Sequence, residues 1–192
     1  VQAGVEPRSA LGEELRFLTR RYPRVSWAAH PRLGELARYW LGRHALFREL
    51  ERIIRTGTEA ALAAPIEAAE FKPWLARHLQ TFLWQREQHH QVEDFHYFPA
   101  FRRIEPRLAA GFELLEGDHR ALHTALEGIV EAANRVLAHD GADPAHFCAE
   151  LARLCDAQTA LGRGLLRHLD DEEDLVVPLL LERGEGALTG GA

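Results

Sequence analysis

The chain has 192 residues, enough for one domain with a self-sufficient core, and its 46% hydrophobic and 27% charged residues are the balance of an ordinary globular protein. The net charge is −6 and the basic residues are dispersed among acidic ones, which argues against nucleic acid as a partner, since a nucleic-acid surface needs a basic stripe. No apolar run approaches the roughly 20 residues of a membrane helix, so no membrane partner is expected. The opening VQAGVEPRSALGEEL lacks the apolar core of a signal peptide, so a cytoplasmic location is expected.

Helix formers dominate and no stretch alternates with period two, so the fold class read from the sequence is all-α. Residues 1–30 form an N-terminal extension, with a short amphipathic helix expected over Ser9 to Arg21. The first long helix starts near Pro31, a residue suited to a first turn, and ends near Thr56–Gly57. The second runs from Pro73 to Phe98 and is closed by Pro99. The third covers Pro106 to His139, stopped by the turn signal HDGADP. The fourth runs from Pro144 to Asp174, with a last apolar turn through Pro178 to Glu182. Residues 184–192, GEGALTGGA, read as a flexible tail. Short connections between four long helices predict an antiparallel up-down-up-down four-helix bundle over 31–183, with the short extra helix before it.

The chain also carries an internal repeat. HHQVEDFHYFP at 89–99 aligns with HLDDEEDLVVP at 168–178: each has a His, a Glu four residues on and a Pro ten residues after the His. The remaining two long helices each carry a His with an apolar residue three positions later, His44 and His119. A spacing of four puts His89 and Glu93 about 40° apart around a helix and roughly 6 Å apart along it, so both can reach one point; His168 and Glu172 are placed alike.

The faces of these residues continue apolar stripes. Seven and fourteen residues before His89 stand Phe82 and Leu75; the same steps from His168 reach Leu161 and Leu154. His44 shares its face with Leu33, Trp40, Leu41 and Phe47, and His119 with Phe112, Leu115, Leu122 and Leu126. A lone inward His is more often a hydrogen-bonded core residue, and one His-x-x-x-Glu pair is usually a solvated face. Four core-facing histidines and two core-facing glutamates together are costly to bury without partners, and a metal centre satisfies them at once. Imidazole plus carboxylate without thiolate suits iron, manganese or zinc, and six ligands exceed one tetrahedral zinc site. Two caps bridged by Glu93 and Glu172 fit a dinuclear centre better. Cys148 and Cys155, seven apart in one predicted helix, are too distant for a disulfide and read as small thiols rather than ligands.

On HHQVEDFHYFP, DHRALH and HLDDEED, the stretch from His44 to Pro178 resembles the hemerythrin-like, or HHE cation-binding, family. The resemblance implies a helical bundle around two non-haem iron ions, bridged by carboxylates and an oxo or hydroxo group, with zinc or manganese as substitutes. It maps the family's ligands onto His44, His89, Glu93, His119, His168 and Glu172. Oxygen-carrying members have a fifth histidine four residues after the third helix's first, which here is His123. Their last carboxylate lies five after the last His, here Glu173, which on an ideal helix points about 140° from His168, so Glu172 is preferred. His90, at the edge of the stripe beside Tyr97, ranks behind His123, and His96 behind both. A ferritin-like reading, from Glu87 with His90 and Glu116 with His119, is weaker, because Glu87 falls about 160° from the His89 face.

Three kinds of function follow from such a centre. It binds oxygen; or it reacts as an enzyme with peroxide, nitric oxide or ferrous iron; or it senses iron or oxygen and changes a protein contact. A structural zinc bundle is the plainest alternative.

Overall fold

The computed structural model describes residues 9–64, 67–140 and 142–188, and among them every regular element is helical, with no strand. Two short helices, α1 (Phe17–Arg21) and α2 (Arg24–Trp27), precede two long ones, α3 (Glu35–Ala63) and α4 (Ala68–Val92). A π-helical segment, Glu93–Tyr97, joins α4 to α5 (Phe98–Ile104). Then come α6 (Ala109–Ala138) and α7 (Pro144–Arg183), the latter 40 residues long. No described helix is long and apolar enough to cross a membrane.

Several helix boundaries differ from the sequence reading, each for a physical reason. α3 passes through Gly57 because a Cβ there would overlap the Trp74 ring; the glycine is a point of close approach between α3 and α4, not a stop. α4 begins before Pro73, and the π-helical turn lets the chain continue past Tyr97, so Pro99 falls in the first turn of α5. α7 runs straight through Pro178. Proline leaves the carbonyl four residues back without its helical donor, and the Thr19 hydroxyl donates to that carbonyl, Asp174, at 2.7 Å. Asp143 caps the start of α7 by accepting from the backbone N–H of Ala145 and His146.

The expected helix over Ser9 to Arg21 is broken into a 3-10 turn, Glu13–Leu15, and α1. Residues 1–8 of the N-terminal extension lie outside the described residues. Within the stretch read as a tail, Glu185–Leu188 form a 3-10 turn, and the Glu185 carboxylate accepts from the Ala37 N–H in the first turn of α3. Residues 189–192 lie outside the described residues.

The core is divided. One apolar cluster includes Phe47, Ile54, Leu75, Phe82, Leu126, Ile129, Leu154 and Leu165. The other includes Leu15, Leu18, Trp27, Trp40, Phe98, Phe101, Phe112, Leu115 and Val176, so the segment before α3 helps to close that end. Between the clusters lies a buried polar layer drawn from α3, α4, α6 and α7.

A buried carboxylate secures the loop after α5. Glu105 accepts two hydrogen bonds from Arg107, at 2.7 and 2.9 Å, and one from Arg183 at the end of α7, at 2.8 Å. Against burial, which pushes the other way, the two guanidinium groups hold its carboxyl down at about 2, with the Arg107 hydrogen bonds the largest influence. A depressed folded-state value means stability that is present above the ordinary carboxyl value of 4.5 and lost as pH falls toward about 2. Glu105→Gln should therefore flatten the fall of the melting temperature across that window relative to wild type. Parallel melting curves in acid would show that this carboxylate does not contribute.

Candidate metal centre

His44, in the first half of α3, is fully buried. α4 delivers two adjacent histidines, His89 and His90, both buried, and Glu93 follows at the first position of the π-helical turn. There the Glu93 N–H reaches the carbonyls of both His89 and His90, and the Phe98 N–H bonds Glu93 five residues back. The extra residue in that turn swings Phe95 and His96 outward and returns Phe98 and Phe101 to the core. That is why His96, seven after His89, does not share its site. α6 contributes His119, and α7 contributes His168 and Glu172, all buried.

These side chains form two groups. Ligand-type atoms of His44, His89, Glu93 and Glu172 lie within 4.8 Å of one another, and so do those of His90, His119 and His168. The two glutamates span the groups. Glu93 Oε1 lies 2.8 Å from His89 Nε2, while its Oε2 lies 3.6 Å from His119 Nε2. Glu172 Oε1 lies 3.5 Å from His44 Nε2, while its Oε2 lies 3.2 Å from His168 Nε2. The Trp40 indole N–H donates to Glu172 Oε1 at 2.5 Å and fixes that carboxylate's orientation.

Three carboxylates stand behind the histidines. Glu173 is 3.1 Å from His44 Nδ1, Asp94 is 2.8 Å from His119 Nδ1, and Asp118 is 3.7 Å from His168 Nδ1. Glu173 is held in turn by Arg48 and Arg24, at 2.6 and 2.7 Å, and Asp118 by Arg167 at 2.6 Å. A carboxylate at Nδ1 keeps the proton there and presents Nε2 as a lone pair, the arrangement found behind metal-bound histidines. Sequence reasoning missed Asp94 and Asp118. Their signal was adjacency: Asp94 follows Glu93, and Asp118 precedes His119.

The sequence ranked His123 ahead of His90; the structure places them the other way round. His90 is buried, its ring stacked on His119 at 3.7 Å between centroids. The His123 side chain is 60% exposed, near Glu127 and Arg86 and away from both groups. The reason lies on α6, where Leu122 and Leu126 fill the inward face beyond His119 and leave His123 on the flank. Glu87 and Glu116, the carboxylates of the ferritin-like alternative, bond Arg86 and Arg102 outside the layer. His78 bonds the Trp74 carbonyl within α4.

The layer is electrostatically divided against itself. Burial opposes a charged His44, yet Glu172 and Glu173 raise it to about 9. Burial, together with the neighbouring cations, pushes His89 down to about 3 and His90 well below its ordinary value. Burial and the nearby Glu172 push Glu93 well up, whereas His44 and His168 hold Glu172 well down in spite of its burial. Nε2 of His119 and of His168 face each other at 3.2 Å, each with a carboxylate behind its Nδ1. His44 Nε2, His89 Nε2, both oxygens of Glu93 and Glu172 Oε2 are buried without a hydrogen-bond partner, the 2.8 Å His89–Glu93 approach lacking hydrogen-bond alignment. So many buried nitrogen and oxygen atoms converging without hydrogen-bond partners fit metal cations, and the nitrogen–oxygen donor set suits iron, manganese or zinc.

Two clefts reach this layer from the surface. One, of about 270 Å³ between α3 and α4, has His89 and Glu93 at its floor under Trp40, Arg43, Gln85 and Tyr97. The other, between α4 and α6, exposes edges of His90 and His119 beside Asp94 and Arg120.

A helical protein whose buried middle is a ring of histidines and glutamates built for cations is the class this fold and site define. A family model described as the hemerythrin HHE cation-binding domain matches residues 38–180, and the chain belongs to that family. No curated protein and no solved structure matches it.

Proposed function

We propose that the chain is a non-haem di-iron protein that binds or reacts with a small oxidant such as dioxygen, peroxide or nitric oxide. The observation that carries this reading is the pair of glutamates, each presenting one oxygen to either histidine group. One metal would be held by His44 and His89 and the other by His90, His119 and His168, with Glu93 and Glu172 placed to serve both. An up-down-up-down order of the helices that supply them is supported by contacts at both ends: Arg43 meets Gln85 while Gly57 meets Trp74, Trp40 meets Glu172 while Thr58 meets Gln158, and His119 meets His168 while Arg135 meets Glu150.

An iron pair held by these residues would supply the electrons that bind or reduce the oxidant. The protein's part is positional. Glu173, Asp94 and Asp118 orient the imidazoles, and Trp40 holds Glu172. The apolar clusters on either side exclude bulk water. With two histidines against three, the His44–His89 side keeps room for a further ligand, and it is the side that the α3–α4 cleft reaches.

The test is metal analysis with an optical spectrum of anaerobic, ferrous-loaded protein before and after oxygen. Two irons per chain and an oxygen-dependent spectral change support the reading. Zinc in their place, with no response to oxygen, would move it to a structural bundle. His90→Ala should lose about one metal equivalent and His123→Ala none, whereas the reverse result would restore the sequence ranking.

A further inference from the structure

The α3–α4 cleft differs in charge from the α4–α6 side. Around the latter, carboxylates such as Glu87 and Asp94 accompany Arg86 and Arg120. Among the described residues lining the α3–α4 cleft, Arg43 is the only arginine or lysine and Glu93, at the floor, the only carboxylate. Beside them stand neutral groups: the hydroxyls of Tyr39 and Tyr97, the amides of Gln85 and Gln88, the indoles of Trp40 and Trp84, and the His89 ring.

Among the described residues Arg43 has no ion-pair partner. Its hydrogen bonds go to the Gln85 side-chain oxygen at 2.6 Å and the Gln85 carbonyl at 3.4 Å, both through Nη2. Nε and Nη1 are left free of protein acceptors, and the guanidinium is held in place over the Phe47 ring at 5.2 Å. A neutral diatomic gas needs no such group. A fixed, unpaired cation in a walled cleft concentrates anions about tenfold or more.

We propose that this cleft is an anion vestibule, in which Arg43 draws a small inorganic monoanion, of the size of azide or nitrite, to the two-histidine side of the centre. The cleft's roughly 270 Å³ admits an occupant of a few heavy atoms and excludes cofactor-sized ligands. The inference rests on the reading of the centre as metal-holding, and goes beyond it by naming Arg43 as the residue that selects an occupant of this cleft by charge. Arg43 is a selecting residue, not a metal ligand.

The probe is azide, titrated into the metal-loaded wild type, Arg43→Gln and Arg43→Lys, with metal content measured in each. Arg43→Gln should keep its metal and bind azide about tenfold more weakly, with Arg43→Lys recovering most of the loss. A second readout does not depend on the metal. Trp84 is 60% exposed on the cleft wall, so iodide quenching of tryptophan fluorescence in the protein as purified should fall about twofold in Arg43→Gln, with acrylamide quenching unchanged. Equal azide affinity and equal iodide quenching in wild type and Arg43→Gln would overturn the vestibule. A wild type that holds no metal overturns the proposed function instead, and the iodide comparison then decides the vestibule alone.

Discussion

His168→Ala should lose most of its bound metal and melt far below wild type. His168 is fully buried and stands where the two groups meet: its Nε2 is 3.2 Å from both Glu172 Oε2 and His119 Nε2. Removing the ring takes a donor from one metal and leaves Asp118 and Glu172 without the group that faces them. Breaking a buried charge pair from one side costs about 3–5 kcal/mol, and loss of the metal's binding free energy adds to it. Metal analysis and thermal melts of wild type and variant, each with and without chelator, separate the two. Wild type should fall on chelation toward the variant, and the variant should respond little. A variant with full metal content would remove His168 from the ligand set.

The same residue shows how much of the site was legible beforehand. His168 with Leu161 and Leu154, and His89 with Phe82 and Leu75, sit at seven-residue steps, and a heptad step returns a helix to nearly the same face. That arithmetic, with the neighbouring apolar residues of His44 and His119, turned His44, His89, Glu93, His119, His168 and Glu172 toward the core, and the structure gathers their ligand-type atoms into two adjacent buried groups. It could not choose between His90 and His123, because each lies off its stripe and the choice depends on what packs beside it. On α6 the inward space is taken by Leu122; on α4 it is open, since the next inward residues are Arg86 and Glu93, and the His119 ring lies across the gap. A finer reading had one clue. His90 stands eleven residues after Leu79, about 20° from the same face, and Leu79 is buried.

The helix ends were legible only where the chain's own chemistry sets them, as at Asp143–Pro144. Gly57 and Pro178 are helix breakers by propensity, but both lie inside helices because another element uses the peculiarity. Trp74 occupies the space beside Gly57, and Thr19 bonds the carbonyl that Pro178 leaves free. Such pairings join residues far apart in sequence, so no local rule announces them. The π-helical turn at Glu93–Tyr97 belongs to the same class. It moves His96 outward and keeps the core face continuous into α5.

The two bridging glutamates should behave differently when replaced, although both are buried in the same layer. Glu172 Oε1 accepts the Trp40 indole N–H, and His44 and His168, 3.5 and 3.2 Å from its oxygens, hold its carboxyl well below the usual range. Glu93 has no hydrogen-bond partner on either oxygen, and both are buried. Burial and the nearby Glu172 already favour a neutral Glu93 carboxyl, so Glu93→Gln exchanges one neutral buried group for another and the metal-free protein should melt no lower than metal-free wild type. Glu172→Gln replaces an acceptor-only carboxylate facing Trp40, His44 and His168, and should destabilise the metal-free protein by about 2–3 kcal/mol. Both variants should hold less metal, since each loses an oxygen donor shared by the two groups. The measurement is a pair of denaturant titrations in chelator, set beside metal content after reconstitution. Equal loss of metal-free stability in the two variants would show that Glu93 has a protein partner after all, and that its place between the groups owes more to packing than to a cation.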